Sequence, residues 1–222
     1  MSRNVSLVPR VAVVTGGHSY DVPGFQTLIK GLMECEPVIQ HLDDFASSPR
    51  SVRQGYDAVL FYFMPLPGPS DSGHEWFQGR PATAIGELGG TKQGIVVLHH
   101  SLLAYRESPL WASVVGITDR GFTYHPGEKI RVCVVDQGHP ITRGLEDWDM
   151  TDETYLMASP GADSRALLVT DHPKSMKTVG WTRQYGKSRV FCLSLGHDAE
   201  AWGNGNFREV LSRGVLWCVE KL

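Results

Sequence analysis

With 222 residues the chain has the size of one domain. A domain this long can bury roughly 70% of the surface its unfolded form exposes, so it needs neither a metal nor a disulfide merely to stay folded. A composition 41% hydrophobic and 20% charged argues against disorder, and a net charge of −3 without any Lys/Arg cluster argues against a nucleic-acid partner. No apolar run approaches the roughly 20 residues of a membrane span, so neither a membrane nor a nucleic acid is an expected partner.

The first apolar run, Val11-Ala12-Val13-Val14-Thr15, is β-branched and stops at Gly16-Gly17, the signature of a buried parallel strand. Phe25, Leu28, Ile29, Leu32 and Met33 then share one face of a helix. Further strands are predicted over 37–42, 57–63 and 94–98, the last ending in His99-His100-Ser101. Strands separated by helical stretches require crossover connections, hence a doubly wound α/β domain whose mostly parallel sheet carries helices on both faces.

The second half reads as an added antiparallel region. Strands are predicted over 130–135, 153–157, 166–169, 178–182 and 189–195, with Tyr185-Gly186-Lys187-Ser188 as a hairpin turn. A last helix carries Phe207, Val210, Leu211, Gly214, Val215 and Cys218 on one face, with Trp217 off it. The Pro/Gly/Ser-rich stretch 64–73 reads as a loop or lid over a site, not as a linker, so residues 1–222 form a single domain. The first ten residues contain no apolar core before a small-residue cleavage site. Cys35, Cys133, Cys192 and Cys218 are widely spaced, with no C-x-x-C pair. Reduced, buried thiols in a cytoplasmic protein are therefore expected.

In open α/β sheets ligands bind beyond the carboxyl ends of the strands. Three histidines stand there: His18 after the first strand, His99 after 94–98 and His197 after the run that ends at Gly196. Any one of them could be a hydrogen-bonded strand-end imidazole. Three at equivalent places imply a shared cleft in which imidazole serves as acid, base or metal ligand. His99 is favoured over His100 as the cleft residue, because neighbours on an extended segment point to opposite sides. Asp21, Asp198, Glu200 and the Asp152-Glu153-Thr154-Tyr155 segment supply carboxylates, although Asp21 reads equally as a helix N-cap. No H-E-x-x-H is present, yet His18, His99 and His197 would suit a divalent metal such as zinc with an open coordination position. The complete G-x-G-x-x-G and the G-x-S-x-G elbow are both missing. Trp76, Trp181 and Trp202 lie near predicted loops, where indoles stack on sugar rings or pack as core.

Several motifs recur in order: Gly16-Gly17-His18-Ser19-Tyr20-Asp21, the His99 strand end, His139-Pro140-Ile141-Thr142-Arg143-Gly144-Leu145 and Asp152-Glu153-Thr154-Tyr155. Trp181-Thr182-Arg183-Gln184-Tyr185-Gly186-Lys187, Arg189-Val190-Phe191 and Leu195-Gly196-His197-Asp198 follow, and the last helix closes the series. Together they make the chain resemble the ThuA-like (trehalose utilization) family over nearly its whole length. The resemblance implies a class I glutamine amidotransferase-like, flavodoxin-like fold and a role in carbohydrate utilization. It also implies a pocket of His18, Asp21, His99, Glu153, Tyr155 and His197.

True amidotransferases carry a nucleophilic cysteine on the turn after a parallel strand. Here that place is held by His99, His100 or Ser101, while Cys133 and Cys192 fall inside predicted strands. The expected protein is therefore a sugar-directed hydrolase, lyase or isomerase without a thiol nucleophile. His99, His197 and Glu153 would act as acid/base groups or metal ligands, and His18, Asp21, Tyr155, Trp181 and Trp202 would hold the sugar. The competing expectation is a carbohydrate-binding or assembly module on the same scaffold. A small sugar is the expected partner, and a homo-oligomer is compatible with this fold class.

Overall fold

The computed structural model describes residues 8–32, 34–66, 68–71 and 80–222. Trp76, Met33 and part of the expected 64–73 loop lie outside the described residues.

β1 (Arg10–Gly16) is buried from Val11 to Thr15, as its β-branched run requires of a central parallel strand. α1 (Val22–Lys30) starts where the Asp21 carboxylate accepts the Gly24 N–H, and it buries Phe25, Leu28 and Ile29. β2 (Glu36–His41) lies outside β1 and is only half-buried. The strand predicted over 37–42 thus ends one residue early, because Leu42 opens α2 (Leu42–Ser47) under a cap from His41. After α3 (Arg50–Arg53), β3 (Ala58–Phe63) returns across β1 to its other side. α4 (Pro81–Gly86), β4 (Gly94–Leu98), a 3-10 turn (His99–Leu103) and α5 (Pro109–Val115) complete this half.

The second half consists of β5 (Thr123–Val134), β6 (Trp148–Leu156), β7 (Arg165–Val169), β8 (Thr178–Tyr185) and β9 (Ser188–Leu193), then α6 (Ala199–Gly203) and α7 (Gly205–Cys218). One nine-stranded sheet runs β2-β1-β3-β4-β9-β8-β7-β5-β6. Its first five strands are parallel, and from β9 outward every pairing is antiparallel, so the sheet is mixed. The expected hairpin turn is present, with Tyr185 opposite Ser188.

Strand alternation sorts the core onto two faces. Val11, Val13, Leu60, Val96 and Phe191 pack with α1, α6 and α7, whereas Ala12, Val14, Phe61, Val97 and Cys192 pack with α2, α4 and α5. On the first face Gly214 lets α7 settle directly on β9, since a β-carbon there would come within 2.1 Å of the Phe191 ring. Among the described residues no helix is long and apolar enough to cross a membrane.

Two strands are longer than the sequence implies. β5 begins seven residues before the predicted 130, running through Pro126-Gly127 with a register shift between His125 and Glu128. This stretch pairs only with β6, because β7 meets β5 only at Cys133 and Val134. A bulge with one open side tolerates proline and glycine, which otherwise signal a turn. β6 begins at Trp148, so Glu153 sits within the strand and does not open it.

Candidate functional site

The β5–β6 arm lies across the carboxyl ends of β4 and β9, and this crossing builds the site. From β6, Tyr155 places its hydroxyl 2.6 Å from His99 Nε2, and the Glu153 carboxylate stands 3.6 Å from the same nitrogen. His197, just beyond β9, sets its Nδ1 3.1 Å from His99 Nε2 and 3.5 Å from Glu153 Oε1. Three side chains from remote parts of the chain therefore converge on one point, with Tyr155 at its edge.

Each is held from behind. His99 is fully buried, and its Nδ1 faces the Ser194 carbonyl at 2.8 Å, which requires the proton on Nδ1 and leaves the Nε2 lone pair toward the cluster. Its φ of +51°, strained for a residue with a side chain, turns the chain sharply from β4 into the 3-10 turn. Ser101 then hydrogen-bonds the β3 backbone, donating to Phe61 and accepting from Phe63, so it is a fastener and not a nucleophile. On the other side the buried Asp152 carboxylate accepts the N–H groups of Gly196 (2.6 Å), His197 (3.0 Å) and Glu153 (2.8 Å). Gly196, at φ +111°, gives the turn that an ordinary residue resists.

The electrostatics follow from these contacts. Burial pushes the Glu153 carboxyl up, but bonds and charge from His99, His197 and Tyr155 outweigh it and leave the group below the usual carboxylate range. Burial, then the neighbouring His99, lowers His197. Burial lifts Asp152 to about 6 against three N–H donors, and lifts the Tyr155 phenol well above its usual range.

Sequence reasoning and structure part at several residues. His18, Tyr155, His99, Glu153 and His197 do come together, but His18 stands outside the converging trio. Positive φ at Gly16 and Gly17 carries its ring onto His100, centroids 4.3 Å apart, and leaves it 6.3 Å from His197. Glu153 therefore replaces His18 in the set able to hold a metal: His99, Glu153 and His197. His99 and His100 do not point to opposite sides of an extended segment, because the chain is already in the 3-10 turn; their rings meet edge to face, 5.5 Å apart. Asp21 and Asp198 cap α1 and α6, and Glu200 is exposed.

The tryptophans are also corrected. Trp181 is fully buried and bonds the Val115 carbonyl, while Trp202 is 4% exposed and bonds the Gly196 carbonyl, so neither offers a free face to a sugar. Asp152 and Ser194 orient the reactive groups; the sequence marks Asp152 only as part of a carboxylate-bearing segment and gives Ser194 no signal at all.

His100 is buried, and among the described residues neither of its nitrogens has a hydrogen-bond partner. Burial first, then His99, His18 and His197, drives its pKa down to about 2. An exposed imidazole titrates near 6.5, so unfolding takes up a proton below that pH. This one group should then cost about 2 kcal/mol of stability between pH 7 and pH 5. His197 and His139, also lowered, act with the same sign, whereas the raised Asp152 acts oppositely. Denaturant titrations of His100→Leu at both pH values should show a correspondingly flatter acid loss. An unchanged difference between pH 7 and pH 5 would refute the buried neutral imidazole.

The sequence profile described as ThuA, trehalose utilisation, matches residues 68–218. The chain belongs to the ThuA family. Solved ThuA-like proteins share its fold: one from Parabacteroides merdae is 16% identical, covering 96% of this chain and 90% of its own, with a TM-score of 0.75. Another, from Bacteroides uniformis, is also 16% identical over 97% and 94% of the two chains, with a TM-score of 0.70. A protein from Salmonella typhimurium described as cytoplasmic is 12% identical over 94% and 98%, with a TM-score of 0.65. No curated protein matches this ThuA chain in sequence.

Proposed function

We propose that this ThuA protein is an enzyme that acts on a sugar or an oxidised sugar derivative, with His99, Glu153 and His197 as its reactive groups. The observation that carries this reading is the convergence of His99 Nε2, His197 Nδ1 and Glu153 Oε1 beyond β4 and β9. With Nδ1 bonded to Ser194, His99 presents a lone pair ready to accept a proton, and Tyr155 already donates to it. A second imidazole one hydrogen bond away can return that proton to another atom of the substrate, as an isomerisation or an elimination requires. His18, partly exposed beside His100 and His197, is placed to meet a hydroxyl.

Thiol chemistry of the amidotransferase kind finds no support. The sharp turn after β4 carries His99, and burial raises the thiols of Cys192 and Cys218, which sit in β9 and α7. The parallel strand order β2-β1-β3-β4-β9 favours the flavodoxin-like winding, whose ligands sit at this end of the sheet. The family's trehalose-utilisation description favours trehalose and related disaccharides, or their oxidised forms, as substrates.

The test is turnover of trehalose and of oxidised disaccharides followed by NMR. His99→Asn and His197→Asn should each lower the rate by at least about a hundredfold while the protein stays folded. Saturable binding with no product from any sugar would overturn the enzymatic reading in favour of a carbohydrate-binding module.

A further inference from the structure

We infer that His99, Glu153 and His197 form a binding site for one divalent transition-metal ion of the zinc class. The inference rests on the proposed site, but it is decided without any sugar. The three donor atoms stand 3.1, 3.5 and 3.6 Å apart. Bonds of about 2.0–2.1 Å to a tetrahedral ion place neighbouring ligand atoms about 3.3–3.4 Å apart, so the observed triangle already has the required size. Two imidazoles and a carboxylate form a donor set that zinc uses in catalytic sites, with a fourth position left for water or substrate.

A second observation points the same way. The His99 Nε2 lone pair and Glu153 Oε1 are both acceptors 3.6 Å apart inside the protein, with the Tyr155 hydroxyl and His197 Nδ1 as the neighbours that can supply them a proton. A metal ion takes up both lone pairs, and that of His197 Nδ1 once its proton has left. Both outer-shell supports of a metal site are present: the Ser194 carbonyl fixes the His99 tautomer, and Asp152 fixes the backbone of His197 and Glu153. The Tyr155 hydroxyl, now donating to Nε2, turns aside or becomes a further ligand when the ion enters. The open position would take a sugar carbonyl or a hydroxyl, and the ion would polarise it.

The experiment is titration of chelator-treated protein with Co(II), read by visible absorption, and with Zn(II), read by calorimetry. One ion per chain is expected, with the absorption of a low-coordinate Co(II) that zinc abolishes. Glu153→Gln and His197→Ala should each weaken binding by more than about tenfold, the least seen when even outer-shell partners are lost. Glu200→Gln should bind as the unaltered protein does. Thermal melts without metal establish that the variants are folded, and Glu153→Asp replaces any that is not, with weakened binding again expected. Absence of saturable binding, or binding that survives both ligand substitutions, overturns the metal site and leaves proton transfer by His99 and His197 standing. A bound ion without turnover of any sugar overturns only the substrate reading.

Discussion

Asp152→Ala is expected to lower the unfolding free energy by about 2–5 kcal/mol and to abolish function at the same time. The carboxylate is 2% exposed and accepts the Gly196 and His197 N–H groups from a different part of the chain. Alanine leaves both donors buried without partners, each costing about 1–3 kcal/mol. Some of that loss is recovered, because burial disfavours the ionised acid and holds its pKa near 6. The functional loss has a separate cause. His197 hangs from the clamped peptide, and a displacement of 1 Å is enough to spoil a proton transfer or a metal bond. Urea denaturation and the Co(II) titration read the two effects independently. A variant less than about 1 kcal/mol weaker, with binding intact, would show that Asp152 is not the fastener described.

Trp181→Ala should be the more severe change for the fold, at about 3–5 kcal/mol, and should leave the chemistry of the cluster alone. Trp181 is wholly enclosed between β8 and α5, and its indole N–H reaches the Val115 carbonyl at 3.0 Å. Truncation opens a cavity and leaves that carbonyl only the weak Cys192 thiol as donor. Unfolding midpoints should shift strongly, while sugar and metal affinities, measured below the new midpoint, should not. Loss of sugar affinity with little loss of stability would restore Trp181 as a stacking platform.

The parallel core was legible because β-branched runs ending in glycine or histidine are what a doubly covered strand looks like. β1, β3 and β4 were each placed within a residue or so. The histidines at 18, 99 and 197 were legible for the same reason, as each interrupts an apolar run. β6 was less so: its alternation of Trp148 and Met150 with Asp149 and Thr151 is broken by the buried Asp152. An acid in an inward position reads as solvent-facing until its N–H partners are seen. The replacement of His18 by Glu153 in the converging trio was equally out of reach. It depends on where the β5–β6 arm crosses the sheet, a matter of tertiary geometry with no local pattern. The short helices α2, α3 and α6 carry too few turns for a periodicity to register.

The bond that joins His99 to His197 spans 98 positions of sequence, the one from Tyr155 to His99 spans 56, and the Asp152 clamp on Gly196 spans 44. Contacts so distant along the chain form only after loop closure has brought whole elements together, so they mature late in folding. No fragment shorter than the span from His99 to His197 can contain the cluster, and a proteolytic nick that frees the crossing arm would dismantle it. Possession of a working trio is thus a report, written in three side chains, that assembly has run to completion.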